Sequence, residues 1–383
     1  MALSTLVFWG GIACIIYAYV GYPVLIGLAA LCKPASAPSR ARFSGSLSIV
    51  IAAYNEEGAI GRRLDELTGI LRGSGLAGEI IVVSDGSVDR TAEVARQHAT
   101  PVVRVLELPI NRGKASALSA GCSAASGQVF VFADARQRWD ADALSLLLES
   151  FAEPAIGAVG GELVLENDRG VMKGVSAYWR FEKWLRAREA RVHSSVGVSG
   201  SIAAVRKSLF KGIPEGILLD DVYWPLQVNM QGYRVVFDTR ARAYDTLPKE
   251  TGDEFRRKVR TLSGNFQLVA ALPSAVLPWR NPVWLQFISH KLLRLVVPWA
   301  YIATMLAAIV HGGQLYEAVA ALQAVGLMIS AAAVAIGDRS KSRLLAAAAA
   351  LLILNAAAWV AFWVWIGGRA GASWSKAAYH ESD

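Results

Sequence analysis

Acidic side chains recur in this sequence at places that would present them to a ligand. Asp85 stands in Val83-Ser84-Asp85-Gly86-Ser87-Val88-Asp89-Arg90-Thr91, and Asp134 in Phe132-Ala133-Asp134-Ala135-Arg136. Both close a short, apolar, β-branched run. A third group, Ala53-Tyr54-Asn55-Glu56-Glu57, follows a similar run, and the pair Asp220–Asp221 lies further on in Leu219-Asp220-Asp221-Val222-Tyr223. Carboxylates converging on one crevice suit a metal-bridged or sugar-like polar ligand. A carboxylate facing a hydroxyl would also take its proton as the oxygen attacks. Other chemistries lack their residues. There is no GxGxxG directly at the end of the first run, no GxxxxGK[ST], no HExxH and no GxSxG. His98, His193, His290, His311 and His380 are scattered, and Cys14, Cys32 and Cys122 make no disulfide scaffold.

The elements that must position these residues follow from periodicity. Leu47–Ala53, Glu79–Ser84, Val102–Leu106 and Gln128–Ala133 read as buried parallel strands. Helical stretches near 57–72, 89–98, 114–125 and 140–151 separate them, which is the alternation of an α/β domain with a parallel sheet. Ligands of such sheets sit beyond the carboxyl ends of the strands, where Asp85 and Asp134 fall. Asp89 reads as the N-cap of a helix at Thr91–His98. A plain cap before Val222–Met230 is the alternative to chemistry for Asp220–Asp221.

Composition places this domain beside a membrane. The chain has 383 residues, 54% of them hydrophobic and 18% charged, against about a quarter charged in a soluble domain. Residues 2–32 contain no charged residue or histidine, enough for an uncleaved spanning helix at about 4–31, bent at Pro23, rather than a signal peptide. Leu292–Val310, Ala318–Ile336 and Leu344–Ile366 read as three more spans, the last with an interfacial cluster of Trp359, Trp363 and Trp365. The net charge of +8 comes from residues 1–43 and 251–300, both next to apolar runs. A basic collar on anionic lipid explains this better than a nucleic-acid surface. Positive residues at Lys33–Arg42, Lys291–Arg294 and 338–343 put those segments in the cytoplasm, and counting spans then puts the tail on the far side. Phe255–Leu272 and Trp284–Leu293 read as amphipathic helices in the interface. The expected layout is residues 1–43 as helix and basic linker, 44–250 as the α/β domain and 251–291 as interfacial helices. Residues 292–368 follow as three spans and 369–383 as the tail.

Five blocks in order carry a family resemblance: Ile51-Ala-Ala-Tyr-Asn-Glu-Glu57, Val83–Thr91, Asn111-Arg-Gly-Lys-Ala-Ser-Ala-Leu118, Phe132–Arg136 and Leu219–Tyr223. From about Ser48 to Arg260 the chain resembles the membrane-embedded family 2 glycosyltransferases, the group of hyaluronan, chitin, cellulose and poly-N-acetylglucosamine synthases. The resemblance implies a GT-A (Rossmann-like) α/β domain with a helical transmembrane bundle at a bacterial inner membrane, the catalytic domain facing the cytoplasm. It implies inverting transfer from a UDP-sugar to a glycan or lipid-linked acceptor. Carried across by position, Tyr54 and Glu56 line the nucleoside pocket, Asp85 meets the base and Lys114 approaches the uridine or phosphates. Asp134 is the first carboxylate of the DxD motif, near the diphosphate and a Mg2+ or Mn2+ ion. Asp221 is the general base, and Asp220 raises its neighbour's proton affinity.

Two positions depart from the family pattern. Arg136 replaces the second DxD carboxylate and cannot ligate a cation, although it can pair with phosphate oxygens. The QxxRW motif is reduced to Arg257-Lys258-Val259-Arg260-Thr261. Arg257 and Arg260 are expected near the diphosphate or on lipid headgroups, and no tryptophan remains to stack on an acceptor. Trp179 and Trp184 are candidates for an acceptor groove, with packing against the sheet or membrane as the alternative. Gly200, in Gly197–Val205, resembles the family's small-residue stretch beneath the acceptor. Three readings follow: polysaccharide synthesis, single addition to a lipid acceptor, or a nucleotide-binding module without catalysis.

Overall fold

The computed structural model describes residues 2–33, 40–166, 172–246, 251–337 and 342–368. Four parallel strands form where the apolar runs predict them: β1 (Leu47–Ala53), β2 (Gly78–Asp85), β3 (Val103–Leu108) and β4 (Val129–Asp134). Every residue of β1 is buried, as a strand covered on both faces requires. The connecting helices are α3 (Glu57–Ser74), α4 (Thr91–Gln97) and α5 (Lys114–Ala124). The ordering β3-β2-β1-β4 reverses direction between β1 and β4, which opens a crevice at their carboxyl ends.

The other half of the sheet corrects the all-parallel expectation. Beyond β4 come β7 (Ile202–Arg206), β6 (Ile156–Glu166), β8 (Arg234–Thr246) and the two-residue β5 (Arg138–Trp139). β7 runs antiparallel to both β4 and β6, whereas β6 and β8 pair in parallel through bulged registers. Glycines at 157, 160 and 161 interrupt β6, so its sequence lacks a strand-like apolar run. Gly161 is required there, since a Cβ would stand 2.6 Å from the carbonyl oxygen of Ala241. Helices α6 (Ala143–Glu149), α7 (Met172–Val192) and α8 (Asp220–Met230) complete the domain.

Among the described residues four helices are long and apolar enough to cross a membrane. The first comprises α1 (Ala2–Ile16) and α2 (Tyr22–Cys32), joined by a π-turn at Tyr17–Gly21 just before Pro23, whose missing N–H disturbs the helical ladder. After α9 (Thr251–Ala271), α10 (Trp284–Gln286) runs through a second π-turn, Phe287–Leu292, into α11 (Leu293–His311). Trp284–Leu293 is therefore continuous with α11, in one helix long and apolar enough to cross a membrane, rather than a separate helix. Gly11 lets α1 cross α11 closely, because a Cβ there would overlap the Thr304 side chain. α12 (Gln314–Ile336) and α13 (Arg343–Ile366) follow.

A buried polar network joins this bundle to the α/β domain. His290 contacts Glu189 through Nδ1 and Glu182 through Nε2, each at 2.8 Å. The Tyr22 hydroxyl donates to Glu189 at 2.6 Å, and Arg294 pairs with Glu182. Charges at this depth persist only when paired, so the network locks α7 to α2 and α11. The last turn of α13 reaches the same end of the bundle: Trp365 stacks on Phe266 of α9 at 5.6 Å. Counting spans predicts the opposite side for this end. The tail, residues 369–383, and the basic positions 338–341 lie outside the described residues.

Candidate active site

At the carboxyl end of β4, Asp134 receives the Lys114 ammonium at 2.6 Å. Lys114 is the first residue of α5 and is placed by the loop before it. That loop is held by Asp85, whose two carboxylate oxygens accept the backbone N–H groups of Arg112 at 2.9 Å and Gly113 at 2.7 Å. Asp85 is fully buried. Burial pushes its carboxyl up against the pull of those two amides, and Glu215 adds to the rise. Gly86 is left-handed (φ +62°) and lies against the same loop, where a Cβ would come within 2.3 Å of the Asn111 nitrogen. Asp85, expected at the base, thus faces the loop that carries Lys114.

Asp220 and Asp221 open α8 and meet this cluster from the other side. A methyl group at Gly200 would lie 3.2 Å from Lys114 Nζ, 3.6 Å from Asp221 Cβ and 3.9 Å from Asp220 Oδ2. The three side chains therefore surround one point above Gly200. Burial pushes Asp220 up to about 6; Lys114 draws it down, while Asp221 and Asp134 raise it. Burial opposes the charge on Lys114, but Asp134, Asp220 and Asp221 outweigh it and hold the ammonium above its ordinary range.

Arg136 and Glu56 find each other. Arg136 Nε lies 2.9 Å from both Glu56 oxygens, and a second guanidinium nitrogen approaches Oε1 at 2.8 Å. The expected phosphate ligand and the expected nucleoside-pocket acid are thus an ion pair at the crevice rim. Tyr54 is half-buried at the end of β1. Beside it Asn55 holds a positive φ of 53°, bonding to the Ser87 hydroxyl and the Val88 amide. Asp89 accepts from the backbone N–H of Thr91 at 2.9 Å, but the N-cap position expected of it falls on Arg90.

A divalent ion would find one carboxylate in the DxD-like segment, Asp134, since Arg136 supplies none. Asp134 with a donor diphosphate is a chemically adequate shell for Mg2+ or Mn2+, which keep several waters. Among the described residues no group of three or more His, Cys, Asp or Glu side chains would hold a metal unaided.

The remaining candidates divide. Arg257 and Arg260 stand two turns and one turn before Gly264 on α9, whose Gly264 and Gln267 lie against the loop leading to Asp220. Trp184 belongs to the membrane junction rather than to this cluster: a Cβ on Gly27 of α2 would lie 3.3 Å from its ring, and Phe181 stacks on it. The Trp179 side chain lies outside the described residues. Two contributors escape sequence reading. Arg63, buried under the site, donates from Nε to the Asp134 carbonyl at 3.1 Å and covers the Trp139 ring. Gln267 bonds to the loop before Asp220. Arg63 looks like an ordinary surface residue of a helix paired with Glu66, and nothing local marks Gln267.

A mixed sheet with acidic residues at its switch point, followed by apolar helices, defines a GT-A-like glycosyltransferase fold. Residues 48–213 match the family Glycosyl transferase family 2. It is 25% identical over 230 residues to a poly-beta-1,6-N-acetyl-D-glucosamine synthase of Staphylococcus epidermidis, covering 58% of this chain and 55% of the relative. The enzyme of that name from Staphylococcus aureus strain MSSA476 is similar to the same extent. The chain spans about half the length of these curated relatives. Its fold is that of the mannosyltransferase PcManGT from Pyrobaculum calidifontis, solved with GDP-Man and Mn2+ (TM-score 0.71, 22% identity, 95% of this chain and 99% of that one).

Proposed function

We propose that the protein is an inverting glycosyltransferase that moves a sugar from a UDP-sugar to a growing glycan at the cytoplasmic face of a bacterial inner membrane. One observation carries this reading: Lys114 of α5 pairs with Asp134 of β4 and meets Asp220 and Asp221 of α8 at Gly200, in a chain with helices apolar enough to cross a membrane. The donor lies across the carboxyl ends of β1 and β4, with its diphosphate toward Lys114. The acceptor hydroxyl attacks the anomeric carbon from the Asp221 side, the bond to the diphosphate breaks, and the nucleotide leaves with the electron pair. The hydroxyl proton passes to the Asp220–Asp221 pair, in which burial raises the proton affinity of Asp220 toward that of a base working near neutral pH. A divalent ion held by Asp134 and the diphosphate would offset the leaving charge. Lys114 supplies a tethered positive charge at the same place. The α/β domain spans roughly residues 44–250, and α9 binds the membrane surface.

A second reading, single addition to a lipid acceptor, is favoured by an apolar cavity of about 290 Å3 beside α9, lined by Phe266, Ala270, Leu292, Leu295 and Trp365. The test is a donor panel of UDP-glucose, UDP-galactose, UDP-N-acetylglucosamine, UDP-glucuronate and GDP-mannose, each with and without Mg2+ or Mn2+. Long products support the first reading and singly extended lipids the second. Inactivity with every donor, alongside nucleotide binding, would leave only a binding module.

A further inference from the structure

The helix that lies between the bundle and the α/β domain also grips the segment carrying the acidic pair. On α9, the Gln267 side chain accepts the backbone N–H of Leu218 at 3.0 Å and donates to the carbonyl of Gly216 at 2.7 Å. One turn earlier, Gly264 lies so close to Leu219 that a Cβ would stand 2.7 Å from its Cγ. The held segment, Gly216–Leu219, ends at Asp220. Its other end is tied down too, since the Ser119 hydroxyl bonds both the N–H and the carbonyl of Ile213. Gly216 has a positive φ of 78°. A backbone stretch of this kind leaves polar groups that need partners, and here one amide side chain satisfies a donor and an acceptor together.

We infer that Gln267 is a positioning residue for transfer, setting the place of Asp220 and Asp221 through the Gly216–Leu219 backbone. The inference rests on the reading of that pair as the base. Leu218 is only three residues from Asp221, so a shift of the loop passes to the carboxylates almost undiminished. Displacements near 1 Å of a reacting group cost on the order of 100-fold in rate. The donor is bound by other elements, β4, α5 and the loop before Lys114, which Gln267 does not touch. Its loss therefore reaches the turnover step and leaves donor binding alone. The neighbouring residue Phe266 stacks on Trp365 of α13, so the same turn of α9 is also packed against the apolar bundle.

The experiment compares wild type, Gln267→Met and Gln267→Glu as full-length protein in detergent or nanodiscs. Gln267→Met keeps the side-chain volume without hydrogen bonds, and Gln267→Glu keeps an acceptor for Leu218 alone. Measured are kcat and donor KM for transfer, the Kd for UDP and the melting temperature. The expected result is a kcat loss of roughly 10- to 100-fold for Gln267→Met, with KM and Kd within about two-fold of wild type. Gln267→Glu should fall between them. A second variant guards against misfolding: Gly264→Ala adds a helix-favouring methyl that pushes Leu219, and should lower kcat in the same selective way. An unchanged kcat per folded molecule would overturn the inference, as would a KM that rises in step with the fall in kcat. Wild-type protein that binds UDP but transfers from no donor would instead overturn the functional reading itself.

Discussion

Replacing Asp220 with asparagine should make the protein more stable and less active, and pH should separate the two effects. Asp220 is 7% exposed, and its carboxyl is pushed up to about 6 by burial first, with Asp221 and Asp134 adding to it. The ordinary value is about 3.9, so the rise is about two units, or about 3 kcal/mol of disfavoured ionisation. A carboxyl raised by folding favours the folded state below its ordinary value, and that contribution is lost as pH rises through about 6. At pH 7.5 the ionised group therefore carries its full cost, and an uncharged isostere removes it. Thermal unfolding of Asp220→Asn should show a gain of about 3 kcal/mol at pH 7.5, roughly 5–10 °C for a domain of this size. The gain should shrink steadily toward pH 4. Sugar transfer should fall by roughly 10²- to 10⁴-fold at pH 7.5, as for loss of a proton acceptor. Equal melting temperatures at pH 7.5, or a gain that grows in acid, would refute the assignment of burial as the dominant cause.

Other substitutions probe neighbouring links. Lys114→Met should weaken UDP binding roughly ten-fold or more by isothermal titration, because it removes the cation proposed to meet the diphosphate and takes from Asp134 its Lys114 partner. Gly86→Ala forces a left-handed residue, about 1–2 kcal/mol, onto a side chain that overlaps the Asn111 backbone. It should lower the melting temperature and UDP affinity together. Asp221→Asn should cut transfer by roughly 10²- to 10⁴-fold with nucleotide affinity retained; full activity would remove Asp221 as a base. Gly368→Cys, in a background without Cys14, Cys32 and Cys122, should react with an impermeant maleimide from the side of the α/β domain. Labelling from the far side would contradict the packing of Trp365 on α9.

Much of this architecture is legible in local pattern. Buried parallel strands announce themselves as continuous β-branched runs, and β1 to β4 fall within two residues of their expected limits. Uncharged stretches of twenty residues or more have few fates besides a membrane span. The antiparallel half of the sheet is not legible in the same way. Its strands are glycine-broken or short, and their pairing partners lie elsewhere in the chain.

Residue types and order alone determined that acidic side chains close the strands, that Arg136 stands where a second carboxylate is usual, and that apolar helices flank the domain. Only the folded chain decided which of these groups meet. Glu56 and Arg136, 80 positions apart, neutralise each other, while Lys114 joins Asp134 and the Asp220–Asp221 pair over Gly200. Asp85 turns to hold a loop, and Gln267 reaches across from α9 to the backbone just before Asp220. The reason is physical: local sequence records how far a residue prefers burial and which backbone shape it tolerates. The partner of a charge or an amide depends on distances between remote segments, which exist only once the sheet has closed and the helices have packed.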